Sequence, residues 1–326
     1  MERQELLYLS RQDVEAVGVS MAEIIEWVER VFVEKGHGRV EMPPKPGVHP
    51  FGDSFIHAMP ACVPEIRAAG IKWVSGYPGN PARGLPYISG LIVLNDFDTG
   101  LPICVMDASW VTAMRTGAAT AVAAKYLARR DAANVAIIGC GVQGRSNAVA
   151  LRHVLPAMAA IWAYDISAAA MAAYAEEMAA ALGLPVHQCA SAEEAVRAAD
   201  VVVTATPIVK NPQPFVRAEW LRSGAFVCTL DFDSAVCPEV FARADKFYSD
   251  DVAQQRHYKE NLGYFRAIPD PQGDLGEVVV GAKPGRERED EIIVSTHLGL
   301  AIEDMATGML IYQRAVEKAV GTWLPL

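Results

Sequence analysis

A glycine-rich turn between a predicted strand and a predicted helix is the feature that most constrains the fold of this chain. Residues 134–146 read NVAIIGCGVQGRS, so that Gly139, Gly141 and Gly144 follow an apolar strand and open a helix. In this spacing the first glycine permits a tight turn, the second lets a pyrophosphate approach the backbone, and the third lets helix and strand pack closely. The helix N-terminus then offers free N–H groups to phosphates. The segment therefore predicts a dinucleotide-binding α/β unit.

An acidic residue follows at the position where such a unit would hold a ribose. Asp165 lies 21 residues after Gly144, at the end of the next predicted strand. A carboxylate there would accept hydrogen bonds from the ribose of NAD and repel the 2′-phosphate of NADP. Because Arg145, Ser146 and Ser167 could still hold a phosphate, NADP stays an alternative cofactor. A purely structural turn with a solvent-facing Asp165 would explain the same residues.

The order of predicted elements divides the chain. From residue 134 to about residue 249, strands and helices alternate, which predicts a Rossmann-type doubly wound parallel sheet. The N-terminal third instead predicts two helices within 35 residues, then short strands with a hairpin turn at 95–100, which is typical of an α+β unit. The last segment, residues 291–326, predicts one long helix preceded by the apolar run Ile292-Ile293-Val294. We therefore expect a Rossmann domain at 115–303, inserted in a second α+β substrate and dimerisation domain formed by 1–114 and 304–326.

Composition and charge exclude several classes of protein. The 326 residues are 52% hydrophobic and 21% charged, which is unlike a disordered chain. The net charge of −10 and the absence of long Lys/Arg runs disfavour nucleic-acid binding. No stretch of 18 apolar residues predicts a membrane span, and the charged N-terminus does not resemble a signal peptide. The six cysteines lack CxxC spacing and the histidines lack HExxH or HxxxH, so we expect reduced thiols, no metal and a cytoplasmic location.

Three cations stand in apolar or Pro/Gly-rich surroundings. They are Lys45, Lys72 and Arg115, of which Lys72 interrupts a predicted strand and Arg115 a helix of small residues. A lone cation is costly to bury unless it meets an anion. Each could simply be solvated or ion-paired, but three converging cations would suit a substrate carboxylate.

Two acids and one histidine follow predicted strands of the parallel sheet. Asp231 and Asp233 come after the strand at 225–230, and His297 stands near the end of another strand, before Gly299. Ligands of open parallel sheets bind outside the carboxyl ends of strands. A carboxylate at this edge could take a proton from a substrate ammonium, or it could only cap the next helix.

Together these segments resemble the ornithine cyclodeaminase/μ-crystallin family. The matching segments are residues 72–78, 84–86, 94–96, 99–100, 106–108, 112–116, 123–127, 138–145, 204–207 and 275–277. The resemblance runs densely from about residue 20 to residue 315. It implies a Rossmann domain that binds NAD or NADP, a second domain that mediates homodimerisation, and a small amino or imino acid as substrate.

The resemblance also implies roles for individual residues. Lys72 and Arg115 match the residues that grip the substrate carboxylate, and Asp233 matches the catalytic aspartate. Lys45 stands where cyclodeaminases usually carry Arg and is similar to the alanine dehydrogenase branch, where it is a candidate proton carrier. The implied cofactor-binding residues are Gly139, Gly141, Val142, Gln143, Gly144, Asp165, Thr116 and Thr206.

Departures from the family pattern lie around the predicted substrate pocket. Tyr87 stands where ornithine cyclodeaminases tend to have Thr, and His297 lies in a segment that replaces the usual Asp-Ser-Thr-Gly. These departures bear on the identity of the substrate. The resemblance itself implies NAD-dependent chemistry at the α-carbon of an amino acid through an imine, of the ornithine cyclodeaminase type. The alternatives are an alanine dehydrogenase, a ketimine reductase, or a catalytically silent NAD(P)-binding protein of the μ-crystallin type.

Overall fold

Residues 4–326 are described by a computed structural model and fall into two units. Of these residues, the first unit comprises 4–115 with Leu300–Leu326, and the second is Thr116–Gly299. The sequence placed Arg115 and residues 300–303 in the Rossmann domain, so the predicted boundaries differ from these units. The physical reason is an ion cluster, described below, that joins Arg115 to the start of the C-terminal helix.

The described residues form strands and α-helices in the following chain order. The strands are β1 (Glu5–Leu9), β2 (Gly47–Val48), β3 (Phe55–Val63), β4 (Ala68–Gly76), β5 (Ile88–Asn95), β6 (Pro102–Asp107), β7 (Asn134–Ile138), β8 (Ala160–Tyr164), β9 (Val186–Gln188), β10 (Val201–Thr204), β11 (Phe226–Thr229), β12 (Lys246–Ser249), β13 (Ile293–Thr296) and β14 (Thr322–Pro325). The helices are α1 (Arg11–Ala16), α2 (Met21–Gly36), α3 (Ser109–Leu127), α4 (Val142–Val154), α5 (Ala168–Leu182), α6 (Ala192–Ala198), α7 (Pro238–Arg243), α8 (Val252–His257), α9 (Leu275–Val279) and α10 (Ala301–Lys318).

The first unit is built on a seven-stranded sheet in the order β14-β1-β6-β5-β4-β3-β2. All neighbouring strands are antiparallel except β1 and β6, which pair in parallel. Helix α10 packs on β3, β4 and β5 and against α2. Alternation along β4 buries Lys72 and Val74 and exposes Trp73, because successive side chains of a strand point to opposite faces.

The second unit is built on a seven-stranded parallel sheet in the order β12-β13-β11-β10-β7-β8-β9. Its central strands are almost fully buried, as their continuous apolar sequences require. The predicted α/β class with a doubly wound parallel sheet is confirmed. Its strand order reverses direction on either side of β7, and in such sheets this is where ligands bind.

The ends of the chain differ from the sequence-based expectation. The first 35 residues contain β1 as well as two helices, and the long helix expected to reach Leu326 ends at Lys318. The apolar run before it forms β13, which pairs in parallel with β11 and β12, and β14 follows α10 and pairs with β1. Pairing with the distant β1, which no local pattern reveals, decides the structure of the last residues. Among residues 4–326, no helix combines the length and apolar character that a bilayer-spanning segment needs.

Candidate functional site

The first unit contains a buried cluster of two cations and two carboxylates. Lys72 Nζ lies 2.6 Å from Asp304 Oδ2. Arg115 donates through Nε to Asp304 Oδ1 at 3.1 Å and through Nη1 to Glu303 Oε2 at 2.7 Å. None of the four residues is more than 5% exposed. Asp304 therefore bridges the two cations that the sequence predicted to hold a substrate carboxylate.

Local structure explains how these four side chains meet. Lys72 is in the middle of β4 on the face covered by α10, and Arg115 is in α3. Glu303 and Asp304 are in the first turn of α10, where the helix dipole favours negative charge. Charges this deeply buried are tolerated only when they are paired. Removing one member of the cluster therefore leaves an uncompensated buried charge and destabilises the unit.

Burial gives Lys72 an unusual proton affinity. The pKa of Lys72 is lowered to about 7, mainly by loss of hydration and then by the charge of Arg115, while the carboxylate of Asp304 opposes both effects. Lys72 therefore changes its charge close to neutral pH. An anionic ligand beside Lys72 would favour its protonated form.

Lys45 belongs to the same electrostatic neighbourhood. Its side chain is buried, and its charge lowers the pKa values of both Lys72 and His57. Burial is the main cause that lowers the pKa of His57 to about 3, and its ring stacks on Phe55 at 4.4 Å. The structure thus pairs Lys72 and Arg115 with the same carboxylate and places Lys45 where its charge acts on Lys72 and on the neutral imidazole of His57.

Tyr87 lies just before β5 in the first unit. Its carbonyl accepts a hydrogen bond from Tyr77 N at 2.9 Å, and burial raises the pKa of its phenol, with a smaller contribution from the charge of Asp53. The hydroxyl is therefore neutral at physiological pH. The proposed contact of Tyr87 with substrate stays a prediction.

The glycine turn of the second unit has the geometry that a dinucleotide needs. Gly139 has φ +105°, and a Cβ there would lie 2.5 Å from Ala205 O. A Cβ on Gly144 would lie 2.4 Å from Gly139 O, so helix and strand meet closely at this point. Gly141 is different: it is the N-cap of α4, makes no side-chain cap, and a Cβ there would meet nothing within 4 Å. That open space beside uncapped helix N–H groups fits a pyrophosphate.

Asp165 closes the loop after β8 around this turn. Its Oδ2 accepts from Cys140 N and its Oδ1 from Ser167 N, each at 2.8 Å. The side chain of Val142 is largely exposed at the start of α4, whereas Gln143 binds Asn147 through its backbone carbonyl. The structure therefore brings the predicted glycines and Asp165 together.

Arg145 is one of the residues that could bind the 2′-phosphate of NADP. Its Nε lies 2.7 Å from Glu177 Oε2, its Nη1 donates to Cys140 O, and its guanidinium lies over the ring of Tyr174. The positive charge is thus already paired with a carboxylate of α5.

The two aspartates after β11 have different environments. Asp231 is fully buried and accepts hydrogen bonds from Thr204 Oγ1 at 2.6 Å and Thr206 Oγ1 at 2.5 Å. Burial raises its pKa to about 6, although the threonine hydrogen bonds oppose this shift. Asp231 therefore ties the ends of β10 and β11, and it also engages Thr206, a predicted cofactor residue.

Asp233 differs from Asp231 in the hydrogen bonding of its two carboxylate oxygens. Its Oδ2 accepts from Phe265 N at 2.9 Å, whereas its buried Oδ1 has no hydrogen-bond partner within residues 4–326. Burial raises the pKa of this carboxyl group. A buried acceptor of this kind is costly unless a ligand or water satisfies it, which is characteristic of functional positions.

The backbone between the two aspartates is held in an uncommon conformation. Phe232 has φ +61°, in the left-handed region, and its ring packs edge-on against Tyr258 and Tyr264. Such a conformation persists only when the surroundings enforce it. Here the threonine hydrogen bonds of Asp231 and this aromatic packing fix the direction of Asp233.

The remaining predicted residues lie in the second unit. His297 is buried at the end of β13, with Nε2 3.0 Å from Ser295 Oγ and its N–H donating to Thr229 O. Thr116 is buried in α3, where its carbonyl accepts from Thr120. Within residues 4–326, no group of three or more His, Cys, Asp or Glu side chains is arranged to hold a metal ion.

Sequence reasoning missed Glu303 and Asp304. A signal was present: residues 300–311 read LAIEDMATGMLI, so two adjacent acids interrupt an otherwise apolar helix. Buried carboxylates require cations. Lys72 and Arg115 are cations in apolar segments and equally require buried anions. Nothing in the sequence indicates that these cations pair with the acids of α10.

The fold and these two sets of residues define a class: an α/β nucleotide-binding protein whose first unit carries a buried cluster of paired cations and carboxylates. Residues 4–319 match the model of the "Ornithine cyclodeaminase/mu-crystallin family". The chain is 37% identical to the alanine dehydrogenase of Archaeoglobus fulgidus, over 98% of each chain. The chain belongs to the ornithine cyclodeaminase/mu-crystallin family.

Two solved structures support the same assignment. One is the Δ1-pyrroline-2-carboxylate reductase of Thermococcus litoralis in complex with NADH and L-proline, with a TM-score of 0.87, 35% identity, and coverage of 97% of this chain and 99% of that one. The other is an archaeal alanine dehydrogenase dimer with bound NAD, with a TM-score of 0.88, 34% identity, and coverage of 99% and 100%. The family and fold predicted from the sequence are therefore confirmed.

Proposed function

We propose that this protein is an NAD-dependent oxidoreductase that acts at the α-carbon of a small amino or imino acid through an imine. The observation that carries the proposal is the buried cluster in which Lys72 and Arg115 are held by Asp304 and Glu303. The names of the related alanine dehydrogenase and pyrroline-carboxylate reductase support the reaction class.

The residues that would hold the cofactor are those of the glycine turn. The open space at Gly141 and the uncapped start of α4 accept the pyrophosphate, and Asp165 accepts from the ribose. NAD is favoured over NADP because Asp165 is anionic and the charge of Arg145 is paired with Glu177. When bound, NAD supplies the hydride acceptor for an amino acid, and NADH supplies the hydride donor for an imine.

Side chains of the protein bind the substrate and transfer protons in the proposed reaction. Lys72 and Arg115 bind the substrate carboxylate and thereby orient its α-carbon. Asp233 accepts a proton from the substrate nitrogen, or from the water that hydrolyses the imine, through its Oδ1. Lys45 is the candidate proton carrier on the substrate side.

A redox-neutral cyclodeamination of a diamino acid is the second candidate. The unsatisfied Oδ1 of Asp233 favours it, because this oxygen could accept from the attacking side-chain amine. Lys45, Tyr87 and His297, which depart from the cyclodeaminase pattern, favour the oxidoreductase instead.

The proposal includes assembly of two copies through the outer face of the first unit's sheet. Trp73 and Leu91 are directly opposite each other on β4 and β5 and are 50% and 45% exposed, and Tyr8 on β1 is 40% exposed. Exposed aromatic side chains such as Trp73 and Tyr8 are enriched at protein–protein interfaces. The related alanine dehydrogenase is a dimer. We place the enzyme in the cytoplasm, in agreement with its six free cysteines.

One experiment tests the proposed activity. The purified protein is incubated with NAD⁺ and L-alanine, L-proline or L-ornithine, and NADH and ammonia are followed separately. Steady NADH formation supports the oxidoreductase, and ammonia release from L-ornithine without NADH supports the cyclodeaminase. Tight binding of NAD without turnover of any amino or imino acid would identify a silent binding protein and overturn the proposal.

A further inference from the structure

Asp304 contacts both cations of the buried cluster through its two carboxylate oxygens. Its Oδ2 lies 2.6 Å from Lys72 Nζ, and its Oδ1 accepts a hydrogen bond from Arg115 Nε at 3.1 Å. Asp304 is in the first turn of α10, Lys72 is in β4 and Arg115 is in α3. Because the two oxygens belong to one planar carboxylate, the position of Asp304 fixes the distance between the two cations and their relative orientation.

Glu303, the neighbouring acid of α10, differs from Asp304 in its relation to Lys72. Both acids are fully buried in the same helical turn, and both pair with Arg115. Within residues 4–326, however, the acceptors in contact with Lys72 Nζ are Asp304 Oδ2 at 2.6 Å and Thr112 Oγ1 at 3.4 Å. The two acids therefore share their burial, their helix and one cation, and they differ in their contact with Lys72.

The strands beside β4 bring no further charge against Lys72. The residues directly opposite Lys72 are Met59 on β3 and Ile92 on β5, and both are apolar. His57 lies two residues before Met59, on the same face of β3, and is neutral at pH 7 because burial is the main cause that lowers its pKa to about 3. The protonation of Lys72 therefore depends mainly on its burial and on the charges of the cluster and Lys45.

Asp304 opposes the effects that remove the proton from Lys72. Loss of hydration, the charge of Arg115 and, less strongly, the charge of Lys45 lower the pKa of Lys72 to about 7, whereas the carboxylate of Asp304 raises it. Without this carboxylate the pKa would be lower still, and Lys72 would be largely uncharged at neutral pH. An ammonium has three N–H donors and Lys72 contacts two acceptors, so one N–H remains for a ligand carboxylate.

We propose that Asp304 is a positioning residue for the reaction, which holds Lys72 protonated and aligned with Arg115 so that both bind the substrate carboxylate. This inference rests on the proposed function, because it assumes that Lys72 and Arg115 bind that carboxylate. Asp304 acts through the two cations and does not itself contact the substrate. Glu303 compensates the charge of Arg115 and does not set the charge of Lys72.

The test measures KM and kcat for the substrate from pH 5 to pH 9 in the wild type and in two variants. Asp304→Asn removes the anion beside Lys72, so the pH above which KM rises should move down by about one unit or more. The change should fall on KM rather than on kcat, because binding of the carboxylate is what is lost. Glu303→Gln is the matched control and should move this pH by less than half as much. Equal shifts in the two variants, or none in Asp304→Asn, would overturn the proposal.

A second variant separates the charge of Asp304 from its position and serves if Asp304→Asn does not fold. Asp304→Glu keeps the negative charge but lengthens the side chain by one methylene group. The pH above which KM rises should therefore stay close to that of the wild type. The displaced cations should raise KM about tenfold at every pH, because misplaced binding groups lose much of their effect. Wild-type KM values in Asp304→Glu would contradict the positioning role.

Calorimetry of propionate binding in the presence of NAD, over the same pH range, separates this proposal from the proposed function. If no amino or imino acid is turned over but the pH dependence of propionate affinity shifts in Asp304→Asn and not in Glu303→Gln, the oxidoreductase proposal fails while the role of Asp304 holds. If an amino or imino acid is turned over and Asp304→Asn leaves the pH dependence of KM unchanged, the role of Asp304 fails while the oxidoreductase proposal holds.

Discussion

The two units build their halves of the proposed chemistry in different ways. In the second unit the nucleotide turn consists of backbone, with Gly139, Gly141 and Gly144 adjacent in sequence. In the first unit the buried ion cluster consists of side chains from three separate segments, which contribute Lys72, Arg115 and the acids of α10. A site formed by backbone groups tolerates substitution of neighbouring side chains, whereas a buried ion cluster is stable only when every charged side chain is present.

The largest effect is expected from breaking the ion cluster. Arg115→Met removes the ion pairs of Arg115 with Glu303 and with Asp304, so two buried carboxylates each lose a compensating positive charge. The expected cost is about 3–5 kcal/mol of unfolding free energy, measured by urea denaturation. Arg67→Met, which breaks the exposed pair with Asp98, is the control and should cost less than about 1 kcal/mol. If Arg115→Met and Arg67→Met lowered the free energy of unfolding equally, burial of the ion pairs would not determine their contribution to stability.

The next largest effect is expected on the turnover number when Asp233 is replaced, with the stability of the protein unchanged. Asp233→Asn keeps an acceptor for Phe265 N but cannot take a proton, so kcat should fall by about 100- to 10,000-fold. The Kd for NAD, measured by fluorescence, should stay unchanged. A variant with wild-type kcat would remove Asp233 from the mechanism.

The glycine turn offers a comparison within a single motif. Gly139→Ala places a Cβ 2.5 Å from Ala205 O at a positive φ, so it should destabilise the second unit by about 1–3 kcal/mol. Gly141→Ala meets nothing within 4 Å and should fold like the wild type. Its Cβ would enter the space assigned to the pyrophosphate, so affinity for NAD should fall about tenfold or more. Wild-type NAD affinity in Gly141→Ala would contradict the assigned pyrophosphate position.

The smallest effect is a pH dependence of substrate binding. The pKa of Lys72 is lowered to about 7, so below this pH the ammonium is present to bind a carboxylate. Above pH 7 the free protein must take up a proton to bind, and KM for a monocarboxylate substrate should rise by up to about tenfold per pH unit. Steady-state kinetics from pH 6 to pH 9 measure this rise; a KM that is flat over this range would contradict the assigned role of Lys72.

The same contrast explains what could be predicted from the sequence. The glycine turn, Asp165 and the alternating strands are local patterns, so the second unit and its nucleotide site were predicted closely. Lys72 and Arg115 were recognised as unusual, but their partners are about 190–230 residues away, and no local rule connects them. The left-handed Phe232 is enforced by tertiary contacts for the same reason, and β14 forms only because β1 is available as a partner.

The central claim is that hydride moves between NAD and the α-carbon of a small amino or imino acid. The most direct test uses NADH that carries deuterium at C4, prepared in both stereochemical forms, together with Δ1-pyrroline-2-carboxylate or with pyruvate and ammonium. Mass spectrometry of the product is expected to show one deuterium on the α-carbon of proline or alanine with one of the two forms. Product without deuterium from either form, or no product with any imine, would contradict the account.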